Sequence, residues 1–129
     1  MRIHHLYSDA SGESHFEDVE VEWVEETRGS KLSRRFPATG IIFRQVPPAY
    51  DLDWHPAPRR QFLVTLSGEC AITVTDGECR RFGPGEFVLL EDLTGRGHRS
   101  VVTSVDDVVL LLVWLAEDGD ERAYHSTGD

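Results

Sequence analysis

The stretch DWHPAPRRQFLVTLSGE, Asp53 to Glu69, decides how the rest of the chain reads. Its second half, QFLVTLS, is an apolar, β-branched run stopped at Ser67-Gly68, the form of a strand ended by a turn. Strand side chains alternate, so an inward Gln61 carries Leu63 and Thr65 on its face and leaves Phe62, Val64 and Leu66 on the other. The first half sets Trp54 and His55 against two prolines and two arginines. In that setting His55 has three possible tasks: holding a metal, meeting a ligand, or packing on Trp54.

Working outward, the same pattern recurs. IIFRQV (41–46) stops at Pro47-Pro48, CAITVT (70–75) and ECRRF (78–82) flank Asp76-Gly77, and EFVLLE (86–91) follows Gly83-Pro84-Gly85. HRSVVTSV (98–105) and DVVLLLVWLA (107–116) complete the series. Nearer the N-terminus, VEVEWV (19–24) alternates apolar with acidic residues, the period of a half-buried strand, and TRGSKLSRRFPATG (27–40) reads as a polar connection. No stretch has a convincing helical period. Short strands punctuated by Gly, Pro and Asp imply an all-β sandwich or barrel, in one domain spanning 1–129 with a polar, mobile tail over 117–129.

Asp76-Gly77 favours a two-residue hairpin turn, pairing Val74 with Cys79. Cys70 then lies about 13 Å from Cys79 along the strands, beyond disulfide reach, and free thiols suit a reducing compartment. That strict turn also puts Arg81 inside and Phe82 outside. A bulge near Glu78 to Arg80 is therefore expected, to return Phe82 to the core.

With 23 acidic against 13 basic residues, the chain carries a formal charge of −10, which excludes nucleic acid as a partner. The acidic runs read as solvated surface, whereas Arg59, Arg60, Arg80, Arg81, Arg96 and Arg99 cluster mid-chain, an asymmetry able to leave a locally positive pocket. No apolar run nears the roughly 18 residues that span a bilayer. The first residues lack the apolar core of a secretory signal, so a cytoplasmic location is expected.

The stretch from Trp54 to about Val102 resembles the cupins, small jelly-roll β-barrels. Their first motif runs G-x5-H-x-H-x3,4-E-x6-G. Here Gln61 followed by Gly68 matches its end, with Gln for Glu, and counting back puts His55 on the first histidine and Ala57 on the second. Their second motif runs G-x5-P-x-G-x2-H-x3-N. LTGRGH supplies Gly95 and His98, with Leu93 for the proline and Val102 for the asparagine. Gly85, in PGE, resembles the glycine of a further family turn.

The resemblance implies a jelly-roll barrel whose interior site contains His98 and Gln61, with Leu63 and Thr65 beside them and His55 and Trp54 near the mouth. In the family, two histidines and a carboxylate converge on a divalent transition metal, with positions left open for substrate. Here His55, Gln61 and His98 are the remaining ligand set, with one histidine lost and the carboxylate replaced by a neutral amide. Fe, Mn, Ni or Zn is thus expected to bind weakly. Two classes compete: a metal-free binding module or acid–base enzyme built on His98, and a metal-dependent dioxygenase, decarboxylase or isomerase. Glu91-Asp92, just before the turn, either supports a catalytic histidine or is solvated. His4, His5, His15 and His125 lie outside both motifs.

QFLVTLS and DVVLLLVWLA are apolar on both faces, so both faces need cover. A two-fold homodimer joined through the outer faces is the expectation, with VEVEWV able to cover part of the same surface.

Overall fold

The computed structural model describes residues 1–117; the expected tail beyond Glu117, with His125, lies outside them. The described residues form β1 (Arg2–Ser8), β2 (Ser14–Glu20), β3 (Trp23–Thr27), β4 (Ser30–Ser33), β5 (Ala38–Val46), β6 (Asp51–His55), β7 (Gln61–Ser67), β8 (Cys70–Val74), β9 (Cys79–Phe82), β10 (Phe87–Glu91), β11 (His98–Val102) and β12 (Val108–Leu115). A six-stranded sheet, ordered β2-β1-β10-β7-β12-β5, faces a four-stranded sheet, β6-β11-β8-β9. This is the expected all-β jelly roll.

Between the sheets lie Leu6, Phe16, Ile72, Val74, Phe82, Val88 and Leu90, all buried. Alternation places them there: on β8 Cys70, Ile72 and Val74 are buried, with half-buried residues between. The packed half of the sandwich is the β1, β2, β9 and β10 side. Toward the β5 and β6 edges the sheets part around a cavity.

Four local expectations are corrected. VEVEWV is not one half-buried strand: β2 ends at Glu20, β3 begins at Trp23, and Val19, Trp23 and Val24 are 39%, 44% and 49% exposed. The polar connection contains β4, which pairs with β3 in a ribbon that joins neither main sheet, so its alternation has no core to face. Arg2–Ser8, read as no element, is a strand paired in parallel with β10 and antiparallel with β2. Asp51–His55, given no element from sequence because prolines follow His55, is the edge strand β6 on β11.

The hairpin turn is longer by one residue than Asp76-Gly77 alone. Val74 N–H donates to the Glu78 carbonyl at 3.0 Å, which makes Thr75-Asp76-Gly77 a three-residue loop with Gly77 at φ 101°. The extra residue pairs Thr73 with Cys79 and Cys70 with Phe82. Phe82 is accordingly fully buried and Arg81 exposed, as the expected bulge required, with the displacement made at the turn. Cys70 is buried, Cys79 is exposed, and both are free thiols.

Outside the core, ion pairs tie strands together and set a pH dependence. Asp9, Asp18, Asp51, Glu69 and Asp76 are held below the ordinary carboxylate range, chiefly by His15, Arg80, Arg99, Thr103 and the Glu78 backbone N–H respectively. Their stabilisation is present above the unfolded carboxylate values and fades as pH falls through the folded ones. His15, paired with Asp9 and Asp76, is raised. For His5, burial opposes the charge, but hydrogen bonds to Glu91 and Glu17 outweigh it and raise the pKa. Their contribution is complete below the unfolded histidine value of 6.5 and fades as pH rises through the folded values. His4, lowered by burial, Arg2 and Arg80, works the other way, one histidine against two. The urea midpoint is therefore expected to peak near pH ~5.5 and fall toward both pH ~3 and pH ~8. His5→Gln with His15→Gln should flatten the alkaline arm, and an unchanged wild-type midpoint from about pH 5.5 to 8 would contradict this assignment.

Candidate functional site

The cavity encloses about 280 Å³. The six-stranded sheet lines it with Gln61 and Leu63 of β7, Val108, Leu110, Leu112 and Trp114 of β12, and Arg44 and Val46 of β5. The smaller sheet contributes Leu52 and His55 of β6, Cys70 and Ile72 of β8, and His98, Ser100, Val101 and Val102 of β11. Of the residues expected at the site, His55, Gln61, Leu63 and His98 meet in this one space.

Thr65 and Trp54 do not. Thr65 shares the inner face of β7 but is fully buried beside Cys70 and does not reach the cavity. Trp54 lies on the outside, in a recess with Asp51, Asp53 and Arg99, where the Arg96 guanidinium sits 4.6 Å from its ring centre. The reason is a bulge. On β11, His98 and Ser100 are two residues apart, but their partners on β6, His55 and Leu52, are three apart. Strict alternation from Leu52 would have sent Trp54 inward and His55 outward. The extra residue exchanges them and aims His55 into the cavity.

His98 is 4% exposed, and its Nδ1 lies 2.6 Å from Oδ2 of Asp92, itself fully buried. This pairing engages Nδ1 and leaves Nε2 as the free nitrogen. Asp92 is anchored through its carbonyl, which accepts the Ala57 N–H at 2.9 Å. The His55 ring centre is 4.5 Å from that of His98, and His55 Nδ1 donates to the Asp53 carbonyl at 2.8 Å, so its Nε2 is free as well. Gln61 is 6% exposed, and its Oε1 is buried with no hydrogen-bond partner. The site thus offers two imidazoles of fixed orientation and an unsatisfied amide oxygen.

Glu91 and Asp92 divide by alternation. Asp92 turns inward to His98. Glu91 turns to the outer face, where its Oε1 lies 2.5 Å from His5 Nε2 and its Oε2 accepts from Arg60 Nε at 2.5 Å. Arg60, the chain neighbour of Gln61, is held on that outer face, its Nη1 also donating to the Ala116 carbonyl at 2.9 Å. Burial pushes the Cys70 thiol up to about 11, so at the cavity wall it is a neutral, apolar group.

The donor set decides the fit to a metal. Fe, Mn, Ni or Zn would meet two imidazole nitrogens and one amide oxygen, all neutral, while the neighbouring carboxylate, Asp92, is engaged behind His98. Among the described residues no three His, Cys, Asp or Glu side chains converge as a ligand group. The set supplies two of the three or four such ligands that tightly held divalent ions use, with a weak amide oxygen as the third.

Arg44, Tyr50, Leu52 and Trp114 were not singled out as site residues by their sequence. The signal for Arg44 was present: in IIFRQV it shares a face with Ile42 and Val46, a cation on an inward stripe.

The chain matches no protein-family model and no curated protein by sequence. Solved structures share its fold. The Schizosaccharomyces pombe Cnp3 cupin domain aligns with 99% of this chain and 96% of its own, at 17% identity and a TM-score of 0.51. A cupin 2 conserved barrel domain protein from Salinispora arenicola covers 67% of this chain and 70% of its own, at 20% identity and a TM-score of 0.49. A protein with a double-stranded β-helix domain from Klebsiella pneumoniae covers 74% and 92%, at 17% identity and a TM-score of 0.47. With two facing sheets and a cavity between them, the chain has the cupin fold, a jelly-roll β-barrel.

Proposed function

We propose that this chain is a single barrel domain that binds a small molecule between its two sheets, with the His98–Asp92 pair as its polar anchor and no tightly held metal. The observation that carries the reading is the buried Asp92–His98 hydrogen bond of 2.6 Å at the wall of an otherwise largely apolar cavity. With Nδ1 of His98 committed to Asp92, Nε2 can accept a ligand hydrogen bond or take a proton, so the same pair serves binding and acid–base chemistry. A fragment screen by ligand-observed NMR on EDTA-dialysed protein tests this. Mutually competing hits should weaken about tenfold in His98→Ala, as for loss of one buried hydrogen bond. Hits indifferent to that change would remove the anchor.

One observation favours a metal-dependent enzyme as a second reading: His55 and His98 both keep Nε2 free, and Gln61 Oε1 is unsatisfied. Ala57 also lines the cavity, at the position of the missing family histidine. Ala57→His with Gln61→Glu should convert weak metal binding into tight binding, read by isothermal titration with Zn²⁺ or Ni²⁺. Equal affinity before and after would show that the ligand positions are misplaced.

We also propose a homodimer through the outer face of the six-stranded sheet. Register sets Phe43, Leu111 and Val64 side by side across β5, β12 and β7, with Ile41, Val113 and Phe62 in the next row. Ile41 and Phe43 are 63% and 72% exposed. The ribbon carrying Trp23 and Val24 does not cover this face, since β3 is exposed along its length. Light scattering at tens of micromolar is expected to give twice the chain mass for wild type and the single mass for Ile41→Lys with Phe43→Lys. A wild-type monomer would end this part of the proposal.

A further inference from the structure

We propose that the cavity takes an anion with an apolar body, a small monocarboxylate, and that Arg44 receives its carboxylate. This rests on the reading of the cavity as a small-molecule site and names the class of molecule.

The charge pattern points there. The chain has a formal charge of −10, yet among the described residues no Asp or Glu side chain lines the cavity, and Arg44 is the one permanently charged residue that does. Other arginines are committed: Arg2 and Arg80 to Asp18, Arg81 to Glu69, Arg99 to Asp51. Among the described residues no carboxylate forms an ion pair with Arg44. Its side-chain contact is with Tyr50, whose hydroxyl lies 3.5 Å from Nη2 and whose ring centre lies 5.7 Å from the guanidinium carbon. Arg44 stands on the inner face of β5 opposite Leu110, and Tyr50 immediately precedes β6, so the pair spans the edge where the two sheets part. A guanidinium fork with an adjoining phenol suits two carboxylate oxygens.

The rest of the cavity specifies the body. Val46, Leu63, Leu110 and Leu112 form apolar walls, where a multiply charged anion such as a phosphate ester would lose hydration against a single countercharge. A monoanion with its charge at the rim avoids that cost. About 280 Å³, set against the ~150 Å³ cavity that holds benzene, admits a molecule on the order of ten heavy atoms. Its inner end then meets His55 and His98.

The test is calorimetric titration of wild type, Arg44→Gln and Arg44→Lys with octanoate and octanamide, and with 3-phenylpropanoate and its amide. Arg44 is on an exposed edge strand, so these variants should keep the fold, checked by circular dichroism. In wild type each acid should bind about tenfold or more tightly than its amide, as a charge-assisted pair allows. Arg44→Gln should erase that preference by weakening the acids alone, and Arg44→Lys should keep part of it. Amides binding as well as acids in wild type, or a preference surviving Arg44→Gln, would overturn the assignment while leaving the cavity reading standing. If neither acids nor amides bind to wild type, the cavity reading fails and this inference with it.

Discussion

Gly97→Ala is expected to cost about 4 kcal/mol or more and to leave little folded protein at 37 °C, the scale on which an unrelieved backbone overlap acts. Gly97 has φ +74°, and a Cβ built on it would stand 2.0 Å from the His55 carbonyl oxygen and 2.4 Å from Cα of Pro56. These are backbone atoms, so no rotamer relieves the overlap. The contact is where β11 begins against the end of β6, and it sets His98 beside His55. Gly29→Ala is the matched control: its φ is +82°, but a Cβ there meets nothing within 4 Å. It should cost only the left-handed conformation, about 1 kcal/mol. Urea denaturation of the two variants separates overlap from conformation. Equal losses would mean that β6 and β11 do not approach this closely.

The second large effect is at the His98–Asp92 pair. Reading His98 from sequence as one polar group among apolar neighbours implies a modest loss on its removal, around 1 kcal/mol. Burial changes that. Asp92 is fully buried and its Oδ1 already has no partner, so His98→Ala strands the whole carboxylate and is expected to cost about 3 kcal/mol. Asp92→Asn in the His98→Ala background replaces the stranded carboxyl group with an amide and should recover part of the loss, so the two changes will not add. Strictly additive losses in a double-mutant cycle would show that the two groups do not form one unit.

The barrel was legible in the chain because β7, β8, β10 and β12 are apolar runs closed by turn residues, and because alternation puts Gln61 and Leu63 on one face. His98 followed from the resemblance of Gly95 and His98 to the second cupin motif. What escaped were features set by neighbours. Arg2–Ser8 carries two adjacent histidines and a tyrosine rather than an apolar run, and becomes a strand through parallel pairing with β10, which no local pattern announces. The bulge that exchanges Trp54 and His55 is visible only in the register with β11. The turn at Asp76-Gly77 took in Thr75 because its register answers to Phe82, whose burial outweighs the preference for two residues. Asp92 was a residue with two possible fates, and only its place just past β10, buried against His98, chooses between them. Arg44 was passed over because a cation on an inward stripe reads as solvated until the strand is known to border a cavity.

The central claim, a cavity anchored by His98 and Asp92 without a tightly held metal, is tested most directly by the metal content of wild-type protein purified without a histidine tag. Mass-spectrometric elemental analysis after dialysis against EDTA is expected to find Fe, Mn, Ni, Cu and Zn together well below one ion per chain, because His55 and His98 are only two of the three or four strong ligands of a tight site and the Gln61 amide oxygen is a weak third. One ion per chain that survives dialysis and is lost in His98→Ala would contradict that claim and leave the metal-dependent reading in its place.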